Sequence, residues 1–172
     1  SEDDVVAVLQ YCVRQSIAVV PFGGGTSVVG GLDPIRGDFK AVVSLDLRRL
    51  DQLHDLDEVS GEAVLGAGVT GPDAEKLLGA QGFSLGHFPQ SFQFATIGGF
   101  AAPRSSGQEF AGYGRVHDIV RRLRVGTPVR VLYLGRPPAS AAGPHPRPLF
   151  LGSRPTPFDG ADGYPSPLEP LT

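Results

Sequence analysis

Apolar residues recur at helical spacing near the start of the chain, at Val5, Val6, Leu9, Cys12 and Val13, the interval that turns one face of an α-helix inward. Ser1 with Asp4 three residues later has the form of an N-cap, so a helix is predicted from about Glu2 to Gln15. Ile17 to Pro21 reads as a short buried strand, and Ala41 to Leu45 as a second β-rich run. Leu47 to Leu53 alternates polar and apolar residues through a turn. His54 to Val59 and Glu62 to Ala67 flank Ser60-Gly61, small residues that favour a tight reversal between antiparallel strands. Thr70 as N-cap, Pro72 in the first turn and Gly82 past the end predict a helix over Pro72 to Ala80. Ile119 to Val125 reads as a strand with Val129 to Leu134 as its hairpin partner.

The breaks in this pattern carry the candidate chemistry. Pro21-Phe22-Gly23-Gly24-Gly25-Thr26-Ser27-Val28-Val29-Gly30-Gly31 follows the apolar run Ile17 to Val20. Glycines can turn successive backbone N–H groups toward one point, and such a nest, aided by the Thr26 and Ser27 hydroxyls, suits a phosphate or diphosphate. The plain alternative is a glycine-rich turn that binds nothing. A P-loop is excluded because Leu32-Asp33, not Lys-Ser/Thr, follows Gly30-Gly31, and a dinucleotide fingerprint is excluded because Val28 stands where its third glycine belongs. Gly66-Ala67-Gly68-Val69-Thr70-Gly71 does fit G-x-G-x-x-G. About 20 residues on, where a nicotinamide site needs an acid, the chain gives Phe88-Pro89-Gln90-Ser91, so these glycines read as helix punctuation. From Gly86 to Gly107 runs a long loop-like segment rich in hydroxyls and glycine, in which Thr96, Ser105 and Ser106 offer donors and acceptors to a polar ring edge or a phosphate.

A length of 172 residues suits one domain or two small subdomains. The net charge of -3 gives no field for nucleic acid or anionic membrane. The one basic run, Arg121-Arg122-Leu123-Arg124, reads as a solvated face. Asp51, Asp55, Asp57 and Glu58 read as solvated hairpin edges, since no His or coordinating spacing accompanies them, and no metal is expected. A single cysteine, Cys12, on the apolar stripe of the first helix, excludes a disulfide framework and fits a reducing compartment, with the cytoplasm as default. No apolar run approaches the roughly 20 residues that span a bilayer, so no transmembrane segment is expected. No Ser/His/Asp trio has a defensible order, and His87 beside Phe88 reads as structural, which leaves the catalytic residues unassigned.

Together, Pro21 to Gly31, then Pro89-Gln90-Ser91 with Ala95-Thr96-Ile97-Gly98-Gly99, then Ser106-Gly107 and Tyr113-Gly114-Arg115-Val116-His117-Asp118-Ile119-Val120, resemble the FAD-binding domain of the vanillyl-alcohol oxidase flavoprotein superfamily. Within it, Gly86-His87-Phe88-Pro89-Gln90-Ser91 and Arg104-Ser105-Ser106-Gly107 resemble the alkylglycerone-phosphate synthases, with FAD-linked D-lactate and glycolate oxidases as relatives. The resemblance covers about Ser1 to Ser153. It implies an α+β, two-subdomain FAD-binding fold of the PCMH type, incomplete at its C-terminus, with a first subdomain over 1–50 and a partial second over 51–153. It implies that Pro21, Phe22, Gly23, Gly24, Gly25, Thr26 and Ser27 hold the FAD diphosphate. Gln90, Ser91, Phe92, Gln93, Phe94, Ala95 and Thr96 would line the flavin and ribityl region, and Pro103, Arg104, Ser105 and Ser106 would approach the isoalloxazine. Relatives with covalent flavin can carry a His in the glycine loop, where this chain has Thr26 and Ser27, so non-covalent FAD is expected. Pro103 departs from the synthase pattern, which tends to a hydroxyl residue before the Arg.

The likeness ends at Ser153, where family members continue with Glu-Gly-Thr and this chain gives Arg154-Pro155-Thr156-Pro157. Ten of the sixteen prolines fall at or after Pro137, a density that opposes helix interiors and central strands and makes 154–172 an irregular or disordered tail. This ending and the absence of methionine suggest a piece of a longer protein or a shifted reading frame, lacking a substrate-binding cap. The functions implied are exchange of acyl for alkyl on dihydroxyacetone phosphate, or oxidation of a 2-hydroxy acid, each needing a cap to choose its small-molecule or lipid-precursor substrate. The alternative is a non-catalytic remnant.

Overall fold

The computed structural model describes residues 1–107 and 115–127, together with the backbone of strands 131–135 and 150–151. Gly152-Ser153, where the likeness ends, the tail from 154 and the Tyr113-Gly114 pair lie outside the described residues. Helix α1 spans Glu2–Gln15. It starts at a capping box, with the Asp4 amide donating to Ser1 Oγ at 3.3 Å and the Ser1 backbone nitrogen donating back to the Asp4 carboxylate at 2.8 Å. It stops at Ser16, whose φ of 55° is left-handed and whose amide donates to the Cys12 and Val13 carbonyls. Cys12 is buried on its inner face, whereas Val13 is 61% exposed, so the apolar stripe is narrower than its spacing predicts.

Strand β1, Ile17–Phe22, pairs in parallel with β2, Ala41–Asp46, in register from Ile17↔Ala41 to Phe22↔Asp46. Parallel neighbours need a crossover, and here residues 23–40 supply one without a helix. The glycine loop is the start of that crossover. It therefore sits outside the carboxyl end of β1, where open parallel sheets place ligands.

Strands β3, Leu53–Asp57, and β4, Glu62–Leu65, form the expected hairpin. Its turn is four residues long, 58–61, and wider than the reversal expected at Ser60-Gly61. Asp57 organises it by accepting from the Val59 amide at 2.9 Å and the Ser60 amide at 3.3 Å, while Gly61 takes a φ of 65°. Helix α2, Gly71–Gly79, is punctuated as predicted, with Thr70 Oγ1 accepting from the Asp73 amide at 3.3 Å and Gly82 at a φ of 79°. Two short helices follow, α3 at Ile97–Ala101 and α4 at Val116–Ile119. Strand β5, Arg122–Gly126, pairs antiparallel with β6, Val131–Gly135. Strand β7, Phe150–Leu151, lies parallel to β4. The strand expected from Ile119 starts only at Arg122, because residues 116–119 spend their backbone bonds on the α4 turn, as in the Val120 amide to the Val116 carbonyl at 2.8 Å.

The expectation of a solvated basic face fails in part. Arg121 forms a half-buried pair with Glu62 of β4 at 3.1 Å, and Arg124 pairs with Glu2 of α1. These pairs tie the 121–124 segment to β4 and to α1.

Apart from Cys12, every buried apolar residue among the described ones lies between Ala63 and Ile119, in a core of Val69, Ala74, Leu78, Leu85, Ile97, Phe100 and their neighbours. The segment after β2 reaches this core through glycines. A Cβ on Gly66 would overlap the Leu50 carbonyl oxygen, and one on Gly68 the Leu47 carbonyl oxygen. Their amides bond to that segment as well, Gly66 to Gln52 at 2.8 Å and Gly68 to Leu50 at 2.8 Å. The G-x-G-x-x-G match is thus a backbone-to-backbone seam. Gly68→Ala should lower the unfolding free energy by about 1–3 kcal/mol as an overpacked site, read from urea midpoints at constant m-value. Gly79→Ala, at a position with open space around the added Cβ, should raise it by about 0.5–1 kcal/mol.

Candidate functional site

The site begins where β1 ends. Gly23 and Gly24 lie flat against the segment 94–96: a Cβ on Gly24 would overlap the Phe94 carbonyl, and one on Gly23 would sit 2.6 Å from Thr96 Oγ1. Two of the three predicted groups, separated by about 70 residues of chain, therefore meet directly. Thr96 is 2% exposed and caps α3, accepting from the Gly99 amide at 3.2 Å. Its role in the site is to hold a backbone rather than to present a hydroxyl.

None of the backbone N–H groups from Gly23 to Gly30 donates to a partner within the protein among the described residues. Gly25 and Gly30 have φ values of 71° and 72°, the left-handed turns that aim successive amides to one side. Ser27 Oγ accepts from the Gly31 amide at 3.2 Å, which leaves its own proton free. A run of unspent donors at a strand's carboxyl end can take an anionic or acceptor-rich ligand.

The segment 90–96 is a turn closed on Ser91, whose carbonyl accepts from the Phe94 and Ala95 amides at 3.0 and 2.8 Å. Phe92 turns back to pack on Phe88, with ring centroids 5.0 Å apart, and against Gly71. Gln90, Gln93 and Phe94 stay on the surface, and Ala95 is buried. The third group, Pro103 to Ser106, follows α3, whose N-cap Thr96 belongs to the second group. Arg104 holds a left-handed φ of 57°, a conformation that non-glycine residues adopt at some cost. The Ser105 amide donates to the Phe100 carbonyl at 2.9 Å.

His87 lies behind this third group and is 1% exposed. Its ring meets Phe100 edge-on, with centroids 5.0 Å apart, and its Nε2 is 2.5 Å from Ser105 Oγ. Burial holds its pKa below the ordinary value of 6.5. Glu75 of α2 anchors the approach to His87, accepting from Ser84 Oγ at 2.9 Å and from the Leu85 and Gly86 amides at 3.1 Å each. Sequence patterning set His87 aside as structural and missed Glu75 altogether. Backbone amides leave no mark in a sequence, so no signal there could have identified the partners of Glu75.

A family model described as an FAD binding domain matches residues 1–129. The chain belongs to the FAD-binding domain family. It is 39% identical over 133 residues to alkyldihydroxyacetonephosphate synthase of Trypanosoma brucei brucei, covering 77% of this chain and 22% of that protein. It is 35% identical over 156 residues to the same-named protein of Dictyostelium discoideum, covering 91% and 25%. A solved structure of an alkyldihydroxyacetonephosphate synthase superposes with a TM-score of 0.74 at 36% identity, covering 78% of this chain and 25% of the other. More distantly, a putative mitochondrial D-lactate dehydrogenase of Schizosaccharomyces pombe is 32% identical over 124 residues, covering 72% and 23%. This FAD-binding domain spans about a quarter of the length of the relatives it matches. No helix among the described residues is long and apolar enough to cross a membrane.

A buried imidazole in this domain carries a consequence for stability. Because the folded-state pKa of His87 lies below 6.5, the unfolded chain binds the proton first as pH falls. Stability should therefore be intact above 6.5 and drop through the window beneath it. Urea midpoints measured from pH 7 to pH 5 should fall, and His87→Gln should flatten part of that slope.

Proposed function

We propose that this domain holds FAD non-covalently across the three groups. Pro21 to Ser27 take the diphosphate, Gln90 to Thr96 line the flavin and ribityl chain, and Pro103 to Ser106 stand beside the isoalloxazine. The observation that carries this reading is the row of unspent N–H groups from Gly23 to Gly30, held in place by the close approach of Gly24 to Phe94. Charge-assisted hydrogen bonds from such donors to phosphate oxygens are about twice as strong as neutral ones. FAD, when bound, supplies the ring that accepts and returns electron pairs. The chain supplies donors and shape. Thr26 and Ser27 offer hydroxyls and no ring nitrogen or thiol for a covalent flavin link, and Cys12 is buried on α1.

We further read residues 1–50, built on β1 and β2, and residues 51–153, which hold the core, as two subdomains meeting along the Gly66–Gly68 seam. Turnover is proposed for a protein that joins this domain to a substrate-binding region. With it, the reaction is exchange of acyl for alkyl on dihydroxyacetone phosphate, by analogy with the synthases of Trypanosoma and Dictyostelium. A second reading is oxidation of a 2-hydroxy acid, favoured by the likeness to a putative D-lactate dehydrogenase. We place the domain in the cytoplasm, where a lone buried cysteine stays reduced.

The test is uptake. Purified chain mixed with excess FAD and passed through gel filtration should elute yellow, with flavin fluorescence quenched, and acid precipitation should release the flavin into the supernatant. Colourless folded protein, as judged by circular dichroism, would sink the proposal. Gly24→Ala should weaken FAD binding by at least about tenfold, since displacing the 94–96 backbone spoils geometry worth about 1.4 kcal/mol or more.

A further inference from the structure

The buried pair His87 and Ser105 decides which way one hydroxyl of the site can donate. A neutral imidazole has one N–H and one bare nitrogen, and here only Nε2 has a partner, Ser105 Oγ at 2.5 Å. Nδ1 is buried with no hydrogen bond among the described residues. A proton on Nδ1 would be a buried donor with nothing to receive it, and an unsatisfied buried donor is costlier than an under-used acceptor. The proton therefore belongs on Nε2.

That assignment fixes Ser105. With Nε2–H donating, Ser105 Oγ is the acceptor, and its own proton must be given elsewhere. The rest of Ser105 is immobile: its amide donates to the Phe100 carbonyl at 2.9 Å, and its carbonyl accepts from the Val116 amide at 3.3 Å. His87 is equally fixed, wedged on Phe100 and preceded by the segment that Glu75 clamps. The half-buried Ser105 hydroxyl is thus a preset donor at the edge of the 103–106 group.

We propose that His87 is a positioning residue which, through Ser105, presents a hydrogen-bond donor to an acceptor atom of the bound flavin, a carbonyl oxygen or an unprotonated ring nitrogen. This rests on the FAD reading given above. It assigns the Ser105 contact a direction that ring acceptors satisfy and N–H groups do not.

The experiment is a double-substitution cycle on FAD dissociation constants in the full chain, combined with nitrogen NMR of the histidine rings. His87 should show the Nε2–H tautomer at pH 7. Ser105→Ala and His87→Phe should each weaken FAD binding about three- to tenfold, the worth of one hydrogen bond. The double variant should lose no more than Ser105→Ala alone, because both remove the same donor. His87→Gln, whose amide can donate in place of Nε2, should recover most of the affinity lost in His87→Phe at comparable thermal stability. An Nδ1–H tautomer, additive losses in the double variant, or no recovery with Gln would each overturn the inference while leaving FAD binding intact. If the native chain takes up no FAD, the site reading falls with it, whichever tautomer the spectra show.

Discussion

At Gly24 two stretches of backbone lie against each other with no room for a methyl group between them. The fold around the site depends on that closeness. Past the end of β1, Gly24 presses on the carbonyl of Phe94, while Gly23 rests on Thr96. Any side chain at these positions would push the glycine loop off the 94–96 turn. The separation would exceed an ångström, since a carbon added to Gly24 would otherwise lie 1.8 Å from the Phe94 carbonyl oxygen. The same device recurs at Gly66 and Gly68, which seat on the segment after β2. Contact between the two halves of the chain is made repeatedly by missing side chains.

Because the interlocking is done by backbone, the loop's own hydrogen-bonding groups stay available. An N–H buried without a partner would cost on the order of 1–3 kcal/mol, so a row of unspent donors survives only at the surface or against a ligand. The run from Gly23 to Gly30 is largely exposed, and water can satisfy it in the free protein. An anion held there replaces water with charge-assisted bonds and requires no rearrangement of the strand that carries the loop.

Behind the loop several polar side chains are committed to neighbours, with His87 Nδ1 left over among the described residues. Glu75 gathers three donors from residues 84–86, His87 takes Ser105, Thr96 caps α3 and Arg121 meets Glu62. Each contact fixes a segment that regular secondary structure leaves loose. The long run from Gly86 to Gly107 has only one five-residue helix of its own, so its shape is set by these side-chain anchors and by Phe92 and Phe100 inserted into the core.

Local chemistry made much of this legible before any fold was known. The ends of α1 and α2 follow from Ser1, Asp4, Thr70, Pro72 and Gly82, whose effects act within four residues. The motif order from Pro21 to Val120 carried the family. Where the sequence misled or fell silent, the deciding contacts were distant. The 116–119 turn displaced the start of β5. Arg121 and Arg124 proved to be paired with residues of β4 and α1. The importance of His87 and Glu75 depends on neighbours 9 to 18 positions away. By itself the sequence determined α1, α2, the strands β1 and β2 and the β3–β4 hairpin, because those outcomes depend on side chains close along the chain, whereas the short helices α3 and α4 left no such mark. Only the tertiary structure decided which glycines seat backbones, which amides remain unspent and that Ser105 meets His87, since each of these is a relation between segments that the folded core brings together.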